Sequence, residues 1–522
     1  MAIKIDNKLT PRKLLPAIER MFELSAQKIL SIEKSWKPAD GTPVFTVKGR
    51  YTSRGWTEWT QGFQFGSAIL QFDATGDERF LDIGRRKTIE LMASHVSHVG
   101  VHDHGFNNVS TYGNLLRLMH EGRIAWNDRE KDFYELALKV SGAVQAARWT
   151  PLSLGSGYIY SFNGPHSLFI DTMRSLRSLA VAHKLGHALM GERDRRISLL
   201  ERLLHHAHTT ARFNIYEGPR RDGVRRDAYD VRGRTAHEAI FNLNDGSFRC
   251  PNSQQGYSPF STWTRGLAWA ILGFAEQLEF IAALTAGEWK VGFGKEPALD
   301  EEDGPERKWM LGPLFEAAFF TAEYYMSICC TDGVPMWDTG APNLHRLPAN
   351  YRDRPAVPFN KWEPVDSSAA AIAAQGLIRL GNLLLKTAQS DRLAPDHWEH
   401  ELASSWFFPH GKKFKTAYEA DKLAESDRRE MRRGGMKLHQ AGLTIARTLL
   451  ANPYLSTNAK HQGLLLHSVY HRPNGWDYIA PGQKVPNGES SMWGDYHLRE
   501  LALLIQREAK GQPYLTFFGC VP

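Results

Sequence analysis

Cysteine is scarce in this sequence. The chain has 522 residues and only four cysteines, Cys250, Cys329, Cys330 and Cys520, with no CxxC pair among them. This spacing indicates neither a disulfide framework nor a cysteine-based zinc site. A reducing compartment is the simplest setting for such a chain, so we expect a cytoplasmic protein.

Long apolar runs are also missing. No stretch approaches the roughly 18 uninterrupted apolar residues that a membrane-spanning helix needs. Residues 1–34 alternate charged and apolar side chains and lack the apolar core and small-residue cleavage site of a signal peptide. The sequence therefore predicts no membrane partner.

An excess of one charge is nearly absent as well. Lys and Arg number 64 against 57 Asp and Glu, which gives a net charge of +7. The basic residues are dispersed and no nucleic-acid-binding module occurs, so we expect no nucleic-acid partner. A weak positive balance suits a small acidic ligand.

The common catalytic and cofactor fingerprints are missing too. The sequence contains no P-loop, no GxSxG, no HExxH and no dinucleotide-binding motif. We therefore predict no cofactor and no metal ion.

Aromatic residues, in contrast, are plentiful. The chain has 15 Trp, 17 Tyr and 26 Phe, and many of the tryptophans stand beside glycine or polar residues. Flat rings with a polar group line pockets that hold sugars, although large rings also simply fill cores. For a single tryptophan the core interpretation is favoured.

Helical periodicity dominates the sequence. Fourteen segments carry apolar residues at i, i+3 and i+4. Strand-like alternation is limited to Ala239–Cys250, where an Asn-Asp-Gly turn favours one hairpin. The predicted helices are Leu14–Leu30, Gly62–Phe72, Phe80–Ala93, Leu115–Arg123, Phe133–Ala147, Ser167–Leu185, Ile197–Ala211, Thr262–Ile281, Leu314–Ile328, Ser367–Leu385, Asp396–Phe407, Gln440–Ala451, Thr457–Val469 and Trp493–Gln506.

This pattern predicts an all-α fold. Six helical hairpins closed into a ring would form an α/α toroid, a barrel whose long rim loops supply the functional site. No linker or composition break divides the chain, so we expect a single domain over residues 1–522. Peripheral inserts are predicted near 286–312, 339–364 and 408–436.

Two motifs place an aspartate where an acid or base could act. In the first, Asp103 stands between His102 and His104; it could belong to an acid–base pair or a metal site, or simply cap the next helix, and the cap is favoured. In the second, Asp171 lies on the polar face of a predicted helix. Such a residue is ordinarily solvated, but inside a toroid it would face the cavity, where burial would raise its pKa.

A third motif surrounds an arginine with aromatic rings. Arg265 lies between Trp263 and Trp269, a spacing that fits either a pocket for a uronic acid, with the guanidinium gripping its carboxylate, or a buried aromatic helix with one paired arginine. Asp366 and Trp493 open further segments that are interpreted as helix starts.

Together these motifs resemble glycoside hydrolase family 88, the unsaturated glucuronyl hydrolases. The similarity runs from about Trp59 to Glu500. Its anchors are Trp59-Thr60-Gln61-Gly62-Phe63, His102-Asp103-His104-Gly105-Phe106, Ile170-Asp171-Thr172-Met173, Gln255-Gly256-Tyr257, Trp263-Thr264-Arg265-Gly266-Leu267-Ala268-Trp269, Asp366-Ser367-Ser368-Ala369-Ala370-Ala371-Ile372 and Trp493-Gly494-Asp495-Tyr496.

The resemblance implies a six-hairpin α/α barrel and a particular reaction. Enzymes of this family remove the 4,5-unsaturated uronic acid left at the non-reducing end when lyases cut polysaccharides. An acid protonates C4 of the vinyl ether, water adds at C5, and the hemiketal opens with loss of the aglycone. A small acidic oligosaccharide is thus the expected partner.

The family pattern also implies residue roles. Asp171 resembles the acid and base that protonates C4 and activates water, and Asp103 resembles its partner. His237, Gln255 and Arg265 resemble the polar contacts to the sugar and its carboxylate. The aromatic walls are expected to be Trp59, Phe63, Trp263 and Trp269.

Several positions depart from the family pattern. Leu267, Gln61 and His104 stand where the family usually has Gln, Asp and Ile, and Phe162 stands in place of a Trp. Three alternatives therefore remain open: hydrolysis of unsaturated galacturonyl or rhamnogalacturonyl oligosaccharides, hydrolysis of a saturated glucuronide, and a non-catalytic toroid that binds acidic sugars.

Overall fold

The protein is mostly helical, with a few short strands. The computed structural model describes residues 3–55, 58–153, 156–218, 230–285, 287–289, 305–389 and 417–519. Its main helices are Pro11–Ser35, Gln61–Thr75, Glu78–Leu91, Ala93–Val96, His104–Asn107, Asn114–His120, Asp128–Ala147, Thr172–Ser175, Arg177–Lys184, Leu199–Asn214, Thr264–Ala282, Pro305–Ile328, Ser367–Thr387, Ala417–Leu449 and Met492–Lys510.

Short antiparallel sheets connect several helices at the rim. Three of the four have two strands each, namely Pro43–Val47 with Arg50–Ser53, Trp149–Pro151 with Gly157–Ile159, and Leu189–Met190 with Arg196–Ile197. The fourth joins Ser167–Phe169, Glu238–Phe241 and Phe248–Asn252. It fixes the chain directly before Asp171.

Burial separates the helices into an inner and an outer set. Thirteen of the fifteen residues of Gln61–Thr75 are buried, whereas only four of the fourteen in Glu78–Leu91 are. Thr264–Ala282 and Met492–Lys510 each have 17 buried residues out of 19. Helices that are buried all round form the inner layer, and amphipathic helices cover them.

The inner layer closes on itself. Gln61–Thr75 packs against the turns at 104–120, which contact the helices at 172–184. The ring continues through Thr264–Ala282, Ser367–Thr387 and Met492–Lys510, which returns to Gln61–Thr75. Six outer partners at 11–35, 78–91, 128–147, 199–214, 305–328 and 417–449 lie around these six inner units. The predicted α/α toroid is confirmed.

Close approach of the inner helices depends on glycine. A Cβ at Gly105 would lie 2.2 Å from the carbonyl oxygen of Ser175, and one at Gly273 would lie 2.6 Å from the carbonyl carbon of Met173. Both contacts are with backbone that belongs to a neighbouring inner unit. A larger residue at either position would push apart the segment that carries Asp103 or the one that follows Asp171.

Ion pairs cross the interior of the ring. Arg174 pairs with Glu276 and, at 2.8 Å, with Glu500, and all three side chains are at most 2% exposed. Arg379 pairs with Glu279 at 2.8 Å. Removing one partner of such a buried pair costs about 3–5 kcal/mol, because the remaining charge stays desolvated. The pairs tie helices together below the open end of the barrel.

Two helix predictions are wrong and one lies outside the described residues. Ser167–Leu185 is not one helix, because its first three residues pair with Glu238–Phe241 as a strand. Thr457–Val469 forms turns whose carbonyls at Asn458 and His461 accept hydrogen bonds from Lys28. Asp396–Phe407 is not described. The hairpin expected within 239–250 is confirmed and gains a third strand.

One helix passes a simple test for a membrane span. Among the described residues, Ser367–Thr387 is long and apolar enough to cross a membrane, but most of it is buried inside the protein. Its alanine-rich surface packs against Thr264–Ala282 and Ala417–Leu449. It is an inner helix of the barrel.

Candidate active site

A cavity of about 740 Å³ opens at one end of the ring. The long inner helices 61–75, 264–282, 367–387 and 492–510 all begin near this end, so the positive ends of their dipoles point towards it. The lining residues come from the loop before 61–75, from the loop before 264–282 and its first turns, from the rim loop at 470–476, and from the chain around Asp103 and Asp171.

Asp103 and Asp171 lie together at the cavity surface. Asp103 directly precedes the short helix His104–Asn107, and Asp171 is the junction between the strand Ser167–Phe169 and the helix Thr172–Ser175. The residues are 8% and 7% exposed. Both therefore touch the cavity while most of each side chain is shielded from solvent.

His102 connects the two carboxyl groups. Its Nε2 lies 3.2 Å from Oδ1 of Asp171, which is a hydrogen bond, and 3.8 Å from Oδ1 of Asp103, which is an ionic contact. The ring packs between Phe162, stacked at 6.0 Å, and the edge of Phe169 at 5.6 Å. The sequence interpretation did not assign His102 a role; its place beside Asp103 in the motif was the available signal.

The three groups have pKa values displaced in different directions. Burial raises the pKa of Asp103. Burial also acts to raise the pKa of Asp171, but the hydrogen bond and charge of His102 outweigh it, and the net direction is downward. Burial lowers the pKa of His102, yet the two carboxylates outweigh this and raise it overall.

Two sequence expectations about these aspartates need correction. The pKa of Asp171 is lowered rather than raised, because His102 donates a hydrogen bond to it. Asp103 stands at the start of a helix as expected of a cap, but its side chain makes no capping hydrogen bond. The carboxylate faces the cavity instead.

Arg265 lines the cavity with its guanidinium already engaged by the protein. Nη1 donates to Asp366 at 3.2 Å and to the carbonyl of Val469, and Nη2 donates to Oε1 of Gln255 at 3.1 Å and to the carbonyl of Tyr470 at 2.8 Å. The fork expected to grip a substrate carboxylate therefore holds the protein together. Gln255 is oriented so that its amide nitrogen remains for a ligand.

His237 supports the same loop from beneath. Its Nδ1 accepts hydrogen bonds from the backbone N–H groups of Gln254 and Gln255, at 2.9 and 3.3 Å. Burial lowers the pKa of His237 to about 4, so the ring is neutral at pH 7. Its proton consequently resides on Nε2. The structure makes His237 a support of Gln255, outside the described cavity lining.

Two proteins of known function have sequences similar to this chain. An unsaturated glucuronyl hydrolase of Bacillus sp. (strain GL1) is 23% identical over 477 residues, which cover 89% of this chain and 90% of that protein. One from Formosa agariphila is 23% identical over 328 residues, or 62% of this chain and 63% of its own length. The chain is a homologue of the unsaturated glucuronyl hydrolases. The resemblance noted from the motifs is thus confirmed, although no family model matches the chain.

Solved structures of unsaturated glucuronyl hydrolases have the same fold. The enzyme from Bacillus sp. GL1, described as responsible for the degradation of glycosaminoglycan, superimposes with a TM-score of 0.57 at 19% identity, over 94% of this chain and 97% of that one. An enzyme specific for heparin gives a TM-score of 0.59 at 18% identity, over 95% and 98%.

Three of the four predicted aromatic walls line the cavity. Trp59, Trp263 and Trp269 contribute to its surface, whereas Phe63 does not. Phe63 is fully buried, with its ring 6.0 Å from Trp59 and 5.6 Å from Phe106. Phe63 packs behind the wall as core, because its helical position points towards Met492–Lys510 rather than towards the opening.

The opposite wall was missed from the sequence. Tyr470, His471, Asn474 and Trp476 line it, and the carboxylate of Asp477 accepts hydrogen bonds from the backbone N–H of Tyr470 and His471 at 2.5 and 3.2 Å. Arg265 also holds this loop, because it donates to the carbonyls of Val469 and Tyr470. Its Asn-Gly turn followed by a tryptophan was the only sequence signal.

The first motif was also considered as a metal site. No group of three or more His, Cys, Asp or Glu residues in the described part of the chain is arranged to hold a metal ion. His104, the second histidine of the first motif, is instead bonded within the protein, to Ser141 and to the carbonyl of His98, at 3.0 Å each.

Arg265→Ala is expected to affect stability as well as binding. The variant leaves the fully buried carboxylate of Asp366 without its ion-pair partner, which costs about 3–5 kcal/mol of folding free energy. It also releases Gln255, so KM for a uronide should rise. Denaturant unfolding and steady-state kinetics measure the two effects. A variant of wild-type stability with only KM altered would contradict the structural role.

Proposed function

We propose that the protein is a glycosidase that removes a non-reducing-end 4,5-unsaturated uronic acid from small acidic oligosaccharides produced by lyases. The observation that carries the proposal is the Asp103–His102–Asp171 cluster at the surface of a cavity walled by tryptophans. Its homology to unsaturated glucuronyl hydrolases supports the same reaction.

The first chemical step is protonation of carbon. The π electrons of the C4=C5 bond form a new C4–H bond with a proton from Asp171, and the electrons of the broken O–H bond remain on its carboxylate. Positive charge then develops at C5 and the ring oxygen, next to the substrate's own carboxylate. Asp103 and Asp171 supply negative charge beside this cation and stabilise it.

Water completes the hydration. Its oxygen bonds to C5 while one of its protons passes to the carboxylate of Asp171, which restores the starting protonation state. The C5–O bond of the resulting hemiketal breaks to give a ketone and a hemiacetal at C1, and the hemiacetal releases the aglycone. No net proton is consumed, because each one donated is returned by water.

The electrostatic potential in the cavity favours an anionic sugar. Arg265 is the only Lys or Arg among the described lining residues, and its guanidinium is engaged. The inner helices that begin near the cavity point the positive ends of their dipoles towards it, and the side-chain amides of Gln255 and Asn474 lie at its surface as donors towards a carboxylate. The flat indole rings of Trp59, Trp263 and Trp269 complement the apolar faces of sugar rings.

The relatives bind ligands of this kind. A solved Streptococcus agalactiae unsaturated glucuronyl hydrolase variant holds the disaccharide dGlcA-GalNAc6S, and its fold matches this chain with a TM-score of 0.51 over 97% of both chains. Another solved complex contains dGlcA-Glc-Rha-Glc, with a TM-score of 0.58. These ligands are properties of those proteins; they define the panel of substrates to test here.

The substrate's own chromophore tests the proposal. The conjugated double bond of an unsaturated uronide absorbs in the far ultraviolet, and hydration abolishes this absorbance. Purified protein is mixed with unsaturated disaccharides prepared with several different lyases. We expect loss of absorbance with at least one of them, and the ranking identifies the preferred aglycone. No loss with any disaccharide, together with release of aglycone from a saturated glucuronide, would overturn the proposal.

A further inference from the structure

The active-site geometry leaves one chemical problem. The proposed reaction needs a proton on Asp171 when the substrate arrives. However, Asp171 accepts the 3.2 Å hydrogen bond from His102, which favours its ionised form. A group that is held as a carboxylate needs a nearby source of the proton that it delivers.

We propose that His102 stores this proton as an imidazolium and passes it to Asp171 through the Nε2–Oδ1 hydrogen bond. The inference rests on the proposed function, since it concerns the acid of that reaction. His102 acts through Asp171 and is therefore a positioning and proton-holding residue.

The surroundings of the imidazole favour its charged form. Asp171 and Asp103 approach Nε2 at 3.2 and 3.8 Å. The stacked face of Phe162 presents π electron density to the ring, which also stabilises a cation. The net upward displacement of the His102 pKa agrees with this arrangement.

The other titratable groups around His102 do not cancel this effect. Among the described residues, Arg148 is the cation that acts on His102 directly and lowers its pKa; its guanidinium donates to the carbonyls of Val99, Tyr160 and Ser161. His206 and His237 are buried and neutral, with pKa values lowered by burial to about 3 and about 4. Two carboxylates thus favour the imidazolium, and they outweigh burial, one guanidinium and an Nδ1 that has no hydrogen-bond partner among the described residues.

The proton balance closes over the cycle. The Nε2–H bond of His102 breaks and leaves its electron pair on nitrogen, while Oδ1 of Asp171 gains the proton. Asp171 then gives a proton to C4 and becomes a carboxylate again. The water that adds to C5 returns a proton to Asp171, and transfer back to Nε2 regenerates the imidazolium. No other reactant is required.

The variant His102→Gln separates proton storage from hydrogen bonding. The glutamine amide can still donate to Asp171 but cannot carry an additional proton. We expect kcat to fall by about a hundredfold or more, with KM changed less than threefold. We also expect the alkaline limb of kcat/KM to move to lower pH, because Asp171 alone loses its proton at lower pH than the His102–Asp171 pair.

A matched control is His439→Gln. His439 also contacts a carboxylate, with Nε2 2.8 Å from Glu508, but this pair is on the outer helix Ala417–Leu449 and the end of Met492–Lys510. Its removal should leave kcat and the pH profile unchanged. Wild-type kcat and an unmoved alkaline limb in His102→Gln would overturn the inference while leaving the proposed function intact.

A direct measurement does not depend on activity. In wild-type protein labelled with ¹⁵N-histidine, the signals absent from the His102→Gln spectrum belong to His102. We expect both ring nitrogens to be protonated at pH 7. If that variant does not fold, the same spectra of the wild-type protein are recorded from pH 7 to 9. They identify a histidine that is an imidazolium at pH 7 and loses its proton as the pH rises. A neutral His102 at pH 7 would overturn the inference even if the enzyme were active. An imidazolium at His102 in a protein that is inactive on all unsaturated uronides would instead support proton storage and contradict the proposed function.

Discussion

Asp171→Asn is expected to lose at least about a hundredfold in kcat, since positioned acid–base groups contribute about 10²–10⁴ to such rates. The amide keeps the size of the carboxyl group and can still contact His102, but it can neither protonate C4 nor accept a proton from water. Binding should persist, because Trp59, Trp263 and Gln255 are unaffected. Absorbance kinetics and calorimetric titration with an unsaturated disaccharide measure turnover and affinity separately.

Asp332→Asn provides the control for this experiment. Asp332 is a partly buried carboxyl group away from the cavity; burial raises its pKa, and it accepts hydrogen bonds from the backbone N–H of Val334 and Ala356. Its amide variant should keep wild-type kcat. If Asp171→Asn retained more than a tenth of wild-type turnover, Asp171 could not be the group that protonates C4.

Mild acid is expected to destabilise the protein. Burial lowers the pKa of His95, His104, His237 and His467 from 6.5 to about 4, and that of His206 and His497 to about 3. Each is neutral in the folded protein at pH values where the unfolded chain binds a proton. Their contribution to stability is complete above pH 6.5 and is lost as the pH falls towards 4.

The size of this effect is large relative to a typical stability. Lowering a histidine pKa from 6.5 to about 4 corresponds to about 3 kcal/mol. This is a substantial fraction of the usual total stability of about 5–15 kcal/mol, and six histidines act in the same direction. His102 opposes the trend, because its raised pKa gives stability that is present at low pH and lost as the pH rises. Buried carboxyl groups with raised pKa values, among them Asp338, Asp477 and Asp495, oppose it in the same way, but histidines of the unfolded chain take up protons at a higher pH than its carboxyl groups, so we expect the free energy of unfolding to begin to fall below about pH 6.5.

Denaturant unfolding at a series of pH values tests this directly. Between pH 6.5 and 4 the free energy of unfolding should fall by about 1.4 kcal/mol per pH unit for each proton taken up. His497→Gln should reduce this slope by up to one proton, since Nε2 of His497 is buried without a hydrogen-bond partner in the described structure. A free energy of unfolding that is flat from pH 7 to 4 would contradict the prediction.

Local sequence patterns were enough to predict most helices of the barrel, and the same patterns differ between its inner and outer helices. Buried helices such as Thr264–Ala282 carry apolar residues on nearly every face, while Pro11–Ser35 has one apolar stripe. This difference is a property of consecutive residues, so it can be read without knowing the fold. The segment at 167–171 was assigned wrongly because a three-residue apolar run fits a helix or a buried strand equally well, and its strand partner is about 70 residues away in the sequence.

Motif resemblance was enough to predict Asp103 and Asp171 as a pair. The roles of their neighbours were decided by tertiary structure. His102 and Asp171 are 69 residues apart, and Arg265 meets the carbonyl of Tyr470 across 205 residues. Phe63 was predicted to line the sugar-binding cavity, but the packing of the inner helices places it in the core behind Trp59.

The sequence by itself thus determined most of the helices and the toroid, the composition of an aromatic acidic-sugar pocket and the two carboxyl groups. Only the tertiary structure decided which polar groups remain available to a ligand and which carboxyl group is held ionised. The physical reason is that hydrogen-bond saturation and pKa values depend on burial and on the nearest charges. In this barrel those neighbours come from different inner helices and rim loops, and closure of the ring brings them together.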